Sequence, residues 1–267
     1  MEAVVQQAGN VNYEVLKADT YAKGVARLQK LGEERPKTFK ENIVARVVAY
    51  ENGDNELFDT MLDSCTGVVN KKKSTKFKVV PQSRDLIDVH VTFNKSFLPI
   101  DYDTVHRIEL DSSDGKYNQN LTRDEILDHP GWLVAVEADA HLLKTYRDII
   151  FNGLKKEKAM GFYVRQNTEQ DELRALFVYD LFNDSYAGGS YDLDNVGSFL
   201  RGSPVVGARS ARVEKSGSEN KDPESSLVLE VRGILSRFDK YVGYVNETEH
   251  LRERYQAEEQ LLALLKR

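Results

Sequence analysis

The stretch that divides the chain into helix and sheet is residues 75–94, Thr-Lys-Phe-Lys-Val-Val-Pro-Gln-Ser-Arg-Asp-Leu-Ile-Asp-Val-His-Val-Thr-Phe-Asn. Within it, Phe77 and Val79 alternate with lysines, and residues 87–93 alternate apolar and polar side chains without a break. Successive side chains of a β-strand point to opposite faces, so a period of two indicates strands with one buried face. The stretch therefore predicts two strands of a sheet.

The residues that follow extend this sheet. Residues 105–110 predict a third strand, and the turn signal Ser113-Asp114-Gly115 comes directly after it. Strands joined by short connections pair in an antiparallel manner, because a short connection reverses the direction of the chain. We therefore expect an antiparallel meander over residues 75–119.

The segment before the sheet predicts helices over residues 12–66. Thr38 and Glu41 have the spacing of a capping box at the start of one of these helices. Its apolar face comprises Phe39, Ile43, Val44, Val47 and Val48. Residues 57–62 predict a third, shorter helix, which places Cys65 on its apolar stripe as a buried structural thiol. Since Cys65 is the single cysteine of the chain, an intramolecular disulfide and a CxxC motif are excluded.

The segment after the sheet predicts helices again, over residues 122–182. Residues 122–125 have the spacing of a second capping box, and residues 168–181 predict the last helix. A short strand is expected within residues 160–164. Residues 183–198 are rich in Tyr, Gly and Asp, and we interpret them as a partner-binding or mobile loop, because long polar loops of compact domains are often functional.

The C-terminal sequence predicts a separate helical element. Residues 215–223 contain no apolar residue, so we expect a linker at 215–225 between a core domain of residues 1–214 and a helical hairpin of residues 226–267. The seam residues of this hairpin that are expected to bind a partner are Leu227, Val231, Ile234, Phe238, Tyr241, Leu251, Tyr255 and Leu262. The expected fold class is α+β, with a helical N-terminal part, a central antiparallel sheet with packed helices and this C-terminal helical hairpin.

The composition favours a protein of an aqueous, reducing compartment. The chain has 267 residues and a net charge of −6. It contains no apolar run that approaches the ~20 residues needed to span a bilayer. The first residues carry neither the basic region nor the apolar core of a secretory signal. We therefore expect a cytoplasmic protein.

One group of polar residues has the chemistry of a metal site. Asp88 and His90 lie on the polar face of the predicted strand at 87–93, and Asp103 and His106 lie around the start of the next strand. If the strands pair, imidazoles and carboxylates converge, which suits a divalent metal or acid–base catalysis. The alternative is that these side chains simply meet water. No cofactor other than such a divalent metal is expected.

A run of lysines gives a second candidate site. It comprises Lys71, Lys72, Lys73, Lys76 and Lys78. Such a strip can contact the phosphates of a nucleic acid, but lysines also protect edge strands and solubilise loops. The negative net charge argues against general binding of polyanions.

Familiar catalytic and nucleotide-binding motifs are absent from the sequence, including GxSxG, HExxH, GxGxxG and the phosphate-binding P-loop. The sequence therefore favours a non-enzymatic assembly or adaptor protein, a subunit of a larger intracellular complex that binds a protein partner or itself through helical contacts. The alternatives are a metal-dependent hydrolase or nuclease that uses the Asp/His group, and a nucleic-acid-binding protein that uses the lysine strip. A membrane partner is not expected.

Overall fold

The computed structural model describes residues 13–153, 155–181 and 184–202. The predicted linker at 215–225 and the predicted hairpin at 226–267, with all its seam residues, lie outside the described residues. Within the described ranges, no helix has the length and apolar character needed to cross a membrane.

The described residues form helices and strands that interleave along the chain. The strands are β1 Glu14–Ala18, β2 Leu62–Asn70, β3 Lys76–Val80, β4 Leu98–Pro99, β5 Glu109–Asp111, β6 Phe162–Val164, β7 Glu172–Val178, β8 Ala187–Gly189 and β9 Gly197–Arg201. The α-helices are α1 Tyr21–Lys30, α2 Phe39–Glu51, α3 Arg84–Ile87, α4 Pro130–Ala135 and α5 Ala140–Asp148. Short 3-10 helices lie at Glu56–Asp59, Tyr102–Thr104 and Ser112–Asp114, and a π-helical turn, Ile149–Gly153, continues α5.

The main sheet is mixed rather than antiparallel throughout. Its strand order is β5-β3-β2-β7-β8-β6, with β4 pairing with β7 outside this path. Strands β6 and β8 are parallel, whereas the other pairs of this sheet are antiparallel. The prediction of a wholly antiparallel sheet is wrong here because β7 reverses the chain between β6 and β8, so these two strands run the same way. Strands β1 and β9 form a separate antiparallel ribbon that places Glu14 opposite Arg201.

The main errors of the helix predictions concern the two central strands, β2 and β7, which were predicted as helical. Every residue of both strands is buried, yet residues 57–66 and 168–181 were predicted as helical. A strand that is covered on both faces has a continuous apolar run instead of an alternating pattern, so its period does not distinguish it from a helix. Cys65 lies in β2 and is fully buried, as expected of a structural thiol. Burial raises the pKa of this thiol to about 11.

The strand predicted at residues 87–93 is also wrong. Helix α3 ends at Ile87 and the chain continues as a loop, while β3 pairs directly with β2 and β5. Val89 and Phe93 pack at the margin of a hydrophobic cluster, but Val91 is 46% exposed. The alternation therefore belongs to a loop that is anchored on the protein by some of its apolar side chains.

Other local predictions are confirmed. Strand β3 lies where the alternation places it, and β6 falls within residues 160–164. Helix α2 begins with the expected capping box: the Thr38 hydroxyl accepts from the Glu41 N–H at 3.2 Å, and the Glu41 carboxylate accepts from the Thr38 N–H at 2.6 Å. These elements were predictable because their signals are local.

The second capping box does not start a helix. The Glu125 carboxylate accepts from the Thr122 N–H and hydroxyl, both at 2.7 Å, but the residues form turns until Pro130 begins α4. Residues 122–182 are therefore only partly helical, since β6 and β7 also fall within this range.

The two faces of the main sheet contact separate hydrophobic clusters. One cluster contains residues of α2, α4 and α5 around Trp132 and Phe162, and the other contains residues of α1 and β9, including Phe199. The neighbours Val68 and Val69 of β2 belong to different clusters, as the alternation of side chains along a strand requires. Residues on either face of the sheet can thus serve different roles.

Candidate functional site

The four residues predicted to bind a metal lie in exposed positions. They are Asp88, His90, Asp103 and His106. Asp88 is the C-cap residue of α3. His90 Nδ1 lies 2.8 Å from the hydroxyl oxygen of Thr92, two residues further along the same loop. Asp103 Oδ1 lies 3.6 Å from Lys71 Nζ.

The structure does not assemble these four residues into a metal site. Within the described parts of the chain, no three His, Cys, Asp or Glu residues are placed to hold a metal ion. The expected convergence relied on a strand at 87–93 pairing with the next strand, and that strand is absent from this stretch. This missing pairing explains why, among the described residues, the imidazoles and carboxylates do not converge on one metal position.

The predicted lysine strip is divided among different environments. Lys78 is buried, and its ammonium donates to two main-chain carbonyls at 2.8 and 3.0 Å. Lys76 forms an ion pair with Glu109 at 2.5 Å. Residues 71–73 lie in the turn between β2 and β3. The five lysines therefore do not form one continuous phosphate-binding strip.

A half-exposed aromatic cluster, which we call the tyrosine face, covers one end of the main sheet. It consists of Tyr163, Phe177, Tyr179, Tyr186 and Tyr191. The rings of Tyr179 and Tyr186 stack with centroids 4.5 Å apart, and Tyr163 lies 4.6 Å from Tyr186. Phe177 contacts Tyr191 at 5.3 Å and Tyr179 at 5.5 Å. Phe177 is buried, while the four tyrosines are half-buried.

Strand register explains why these rings meet. Tyr163 of β6 is paired with Gly188 of β8, which is paired with Phe177 of β7. Residues paired across neighbouring strands share a face of the sheet. A Cβ atom at Gly188 would lie 2.3 Å from the Phe177 ring, so the glycine provides the space in which the rings pack. Phe162, one residue before Tyr163, is fully buried in the hydrophobic cluster around Trp132.

Charged and amide groups border the tyrosine face. Lys156 forms an ion pair with Asp184 at 2.9 Å, and the Asn120 side-chain amide donates to the same carboxylate at 2.7 Å. Asp192, the residue after Tyr191 of the face, pairs with Arg165 at 2.8 Å. The result is an aromatic centre with a polar rim, which is the composition of many protein–protein interfaces.

A small hollow adjoins the tyrosine face. Phe177 and Tyr191 belong to both. Asp63 of β2, only 5% exposed, lines the inner part of the hollow, and the exposed residues Asn195 and Val196 lie at its opening. The open space beside these residues is about the size of one water molecule.

Burial controls the ionisation of this region. It raises the pKa of Asp63 to about 7, although the Ser198 N–H, which donates to this carboxylate at 2.8 Å, acts in the opposite direction. Burial also raises the pKa of Tyr163, Tyr186 and Tyr191. These phenols therefore stay protonated near neutral pH and can both donate and accept hydrogen bonds.

The sequence pointed to only part of this region. Tyr186 and Tyr191 lie in the loop that was interpreted as partner-binding. Asp63 and Phe177 were missed because the strands that carry them were predicted as helices. The available signal for Asp63 was a lone carboxylate within the apolar and small residues of 62–69.

Comparison with known proteins shows the fold. No family model matches the sequence, and no curated protein matches it. A solved C-type lectin-fold structure, from a study of how this fold accommodates massive sequence variation in Nanoarchaeota, is similar with a TM-score of 0.57 and 15% identity. The match covers 74% of this chain and 100% of that one. The chain therefore has an α+β C-type lectin-like fold with a curled mixed sheet.

Proposed function

We propose that this chain is a protein-binding module of a larger assembly and that it binds its partner through the tyrosine face. The observation that carries the proposal is the cluster of four half-exposed tyrosines above Phe177, bordered by polar groups. Tyrosine is enriched at interfaces and in binding hot spots, because it provides a large apolar area together with a hydroxyl that can hydrogen-bond.

The tyrosine face is also largely preorganised for binding. Tyr163 and Phe177 lie on β6 and β7, which both pair with β8. Tyr179 and Tyr186 stack on each other, and the Tyr179 N–H donates to the Tyr186 carbonyl at 2.9 Å. A surface whose side chains are already ordered loses less conformational entropy when a partner binds. This supports a specific binding role over a surface that is aromatic by chance.

The fold is suited to such a role. The similar structure from Nanoarchaeota concerns the accommodation of massive sequence variation by the C-type lectin fold. A frame that tolerates variation can carry a surface selected for one partner while the core is kept.

The alternative functions receive less support. The Asp/His group is not assembled into a metal site within the described residues, and the lysine strip is divided by burial and ion pairing. That the C-terminal seam from Leu227 to Leu262 binds a partner stays a prediction, and a cytoplasmic location stays an expectation.

Site-specific photo-crosslinking in the host cell tests the proposal. A photoreactive phenylalanine analogue replaces Tyr186 in the full chain, and a matched chain carries it at the exposed Lys72, on the turn between β2 and β3. We expect a discrete crosslinked protein from position 186 that is absent or much weaker from position 72. Equal products from both positions, or none from position 186, would overturn the proposal.

A further inference from the structure

The hollow beside the tyrosine face has a combination of groups that the proposed interface does not by itself require. Its inner part contains the Asp63 carboxyl, and its walls include the rings of Tyr21, Phe177 and Tyr191. Carboxylates and aromatic faces share one preference in ligands, because both attract cations.

Among the residues that the structure describes, Asp63 is the acidic group of the hollow without a cationic partner. The other carboxylate in the lining, Asp192, pairs with Arg174 at 2.5 Å and with Arg165 at 2.8 Å. In the part of the chain that the structure describes, Asp63 forms no ion pair, and its Oδ2 accepts from the Ser198 N–H. An ionised carboxylate this deeply buried is costly to maintain unless a positive charge approaches it.

The shape of the hollow selects among cations. Gly197 lies so close to Asp63 that a Cβ atom there would be 2.9 Å from Oδ2, and the remaining space admits about one group of the size of a water molecule. A primary ammonium is a compact point charge on a thin alkyl stem, whereas a guanidinium is planar and wide. The hollow thus matches the end of a lysine side chain better than that of an arginine.

We propose that the hollow is a subsite for a primary ammonium group, namely a lysine side chain of the protein that binds the tyrosine face. The ammonium group pairs with the Asp63 carboxylate while the alkyl stem passes between Tyr191 and Val196. This inference rests on the proposed function for the source of the lysine, but the chemistry of the subsite can be tested without any partner.

The groups that surround Asp63 determine how the subsite responds to pH. Tyr21 of α1 faces it and donates its hydroxyl to the Ser64 carbonyl at 2.9 Å. Tyr191 and the Arg-paired Asp192 face it from the segment between β8 and β9. Since burial raises the pKa of Asp63 to about 7, the carboxyl is largely protonated in mild acid and is available to an ammonium only at higher pH.

The experiment is an NMR titration of the full-length protein with n-butylammonium chloride, at about pH 8.5 and about pH 5.5. We expect chemical-shift changes at Ala175, Tyr191, Val196 and Gly197 at the higher pH, with affinity weakened about tenfold or more at the lower pH. Neutral n-butanol has nearly the same shape without the charge and is expected to give no saturable shifts at these residues. n-Butylguanidinium is expected to bind more weakly than n-butylammonium.

Two variants test whether the Asp63 carboxylate is the group that binds the ammonium. Asp63→Asn keeps the size and an oxygen that can accept from Ser198, and we expect it to lose binding about tenfold or more. Asp194→Asn removes the same charge from the exposed neighbour outside the lining and is expected to bind as the parent does. Undiminished binding by a folded Asp63→Asn variant would overturn the subsite.

The comparison of n-butylammonium with n-butanol tests the ammonium subsite even if Asp63→Asn does not fold. Equal binding of the two probes, or no saturable shift from n-butylammonium at about pH 8.5, refutes the ammonium subsite. The crosslinking result at position 186 is independent of these probes, so failure of the subsite and failure of the tyrosine face can be told apart.

Discussion

Two consecutive residues of β6, Phe162 and Tyr163, belong to two aromatic clusters of opposite character. Phe162 is fully buried and contacts Phe77, Tyr117 and Trp132 at ring distances of 5.9 to 6.3 Å. Tyr163 is half-buried and stands in the tyrosine face with its ring 4.6 Å from that of Tyr186. The same strand thus supports a core on one face and an accessible aromatic surface on the other. The difference indicates that aromatic content alone does not separate a stabilising cluster from a binding surface, whereas exposure does.

The largest expected difference between the two clusters is in stability. Phe162→Ala removes a fully buried ring, so we expect the free energy of unfolding to fall by about 3–5 kcal/mol. Tyr163→Ala removes a half-buried ring from the opposite face, and about 1 kcal/mol is expected. Chemical denaturation of both variants measures the two values. Similar losses would mean that the tyrosine face is a second core rather than an accessible surface.

Two neighbouring glycines of β8, Gly188 and Gly189, face the two different aromatic clusters, and each is closely packed by a side chain on its own face. A Cβ atom at Gly189 would lie 2.5 Å from a Val68 methyl group on the central strand, and one at Gly188 would lie 2.3 Å from the end of the Phe177 ring. We expect Gly189→Ala and Gly188→Ala each to lower the free energy of unfolding by about 1–3 kcal/mol. Only Gly188→Ala should alter the tyrosine ring resonances in NMR spectra. Altered rings in Gly189→Ala alone would contradict the assignment of faces.

The buried ionisable groups on the two faces predict opposite pH dependences. Burial raises the pKa of Asp63 to about 7, so the unfolded chain binds fewer protons at this site than the folded chain between about pH 4 and pH 7. Its contribution to stability is therefore greatest below pH 4 and is lost as the pH rises to 7. In Asp63→Asn this loss disappears, so stability relative to the parent rises with pH by at most about 1.4 kcal/mol per unit. Urea denaturation at several pH values measures the free energy of unfolding of variant and parent. The same pH dependence in both would contradict a raised pKa of Asp63.

His129, which lies in the aromatic cluster of Phe162, predicts the opposite change of stability with pH. Burial lowers its pKa to about 4, so the unfolded chain binds more protons here between about pH 4 and pH 6.5. Its contribution is present above pH 6.5 and is lost as the pH falls. The His129 ring accepts from the Trp132 N–H at the start of α4, and His129→Asn keeps a capping group at this position. We expect this variant to lose less stability than the parent on acidification, by the same measurement, and an unchanged acid response would show that the imidazole is not buried as described.

The smallest expected effect concerns a single hydroxyl of the tyrosine face. Tyr186→Phe keeps the ring stacked on Tyr179 and removes the hydroxyl that hydrogen-bonds with it. We expect unfolding free energy to change by no more than about 1 kcal/mol in denaturant titrations. A much larger loss would place the hydroxyl in a buried network and remove it from the surface available to a partner.

Elements of the fold that depend on residues close together in the sequence were predictable, and those that depend on distant residues were not. Strand β3 and the capping box of Thr38 and Glu41 could be predicted because neighbouring residues determine them. The central strands could not, because their burial on both faces depends on helices and strands distant in the sequence. Residues 87–93 have the clearest alternation in the sequence, yet the strand predicted there is wrong. A strand requires a neighbouring strand to pair with, and the alternation alone does not supply one.

The site was predictable to a similar extent. The loop that contains Tyr186 and Tyr191 was recognised from its composition, but the other members of the face come from β6 and from β7 and the residue after it. Only the pairing of β6, β7 and β8 brings them together. Asp63 reaches the same region through the pairing of β2 with β7, which places it opposite Phe177. Such long-range pairings leave no short motif in the sequence.

The most direct test keeps the photoreactive group at one fixed position beside the tyrosine face and changes only two of its tyrosines. The group is placed at Asn195, at the opening of the hollow, in the full chain and in the same chain with Tyr179→Ser and Tyr186→Ser. Chemical denaturation first shows whether the substituted chain stays folded. If the tyrosine face binds the partner, the crosslinked product from position 195 falls about tenfold or more in the substituted chain. An unchanged yield in a folded variant would show that the tyrosine face is not the binding surface.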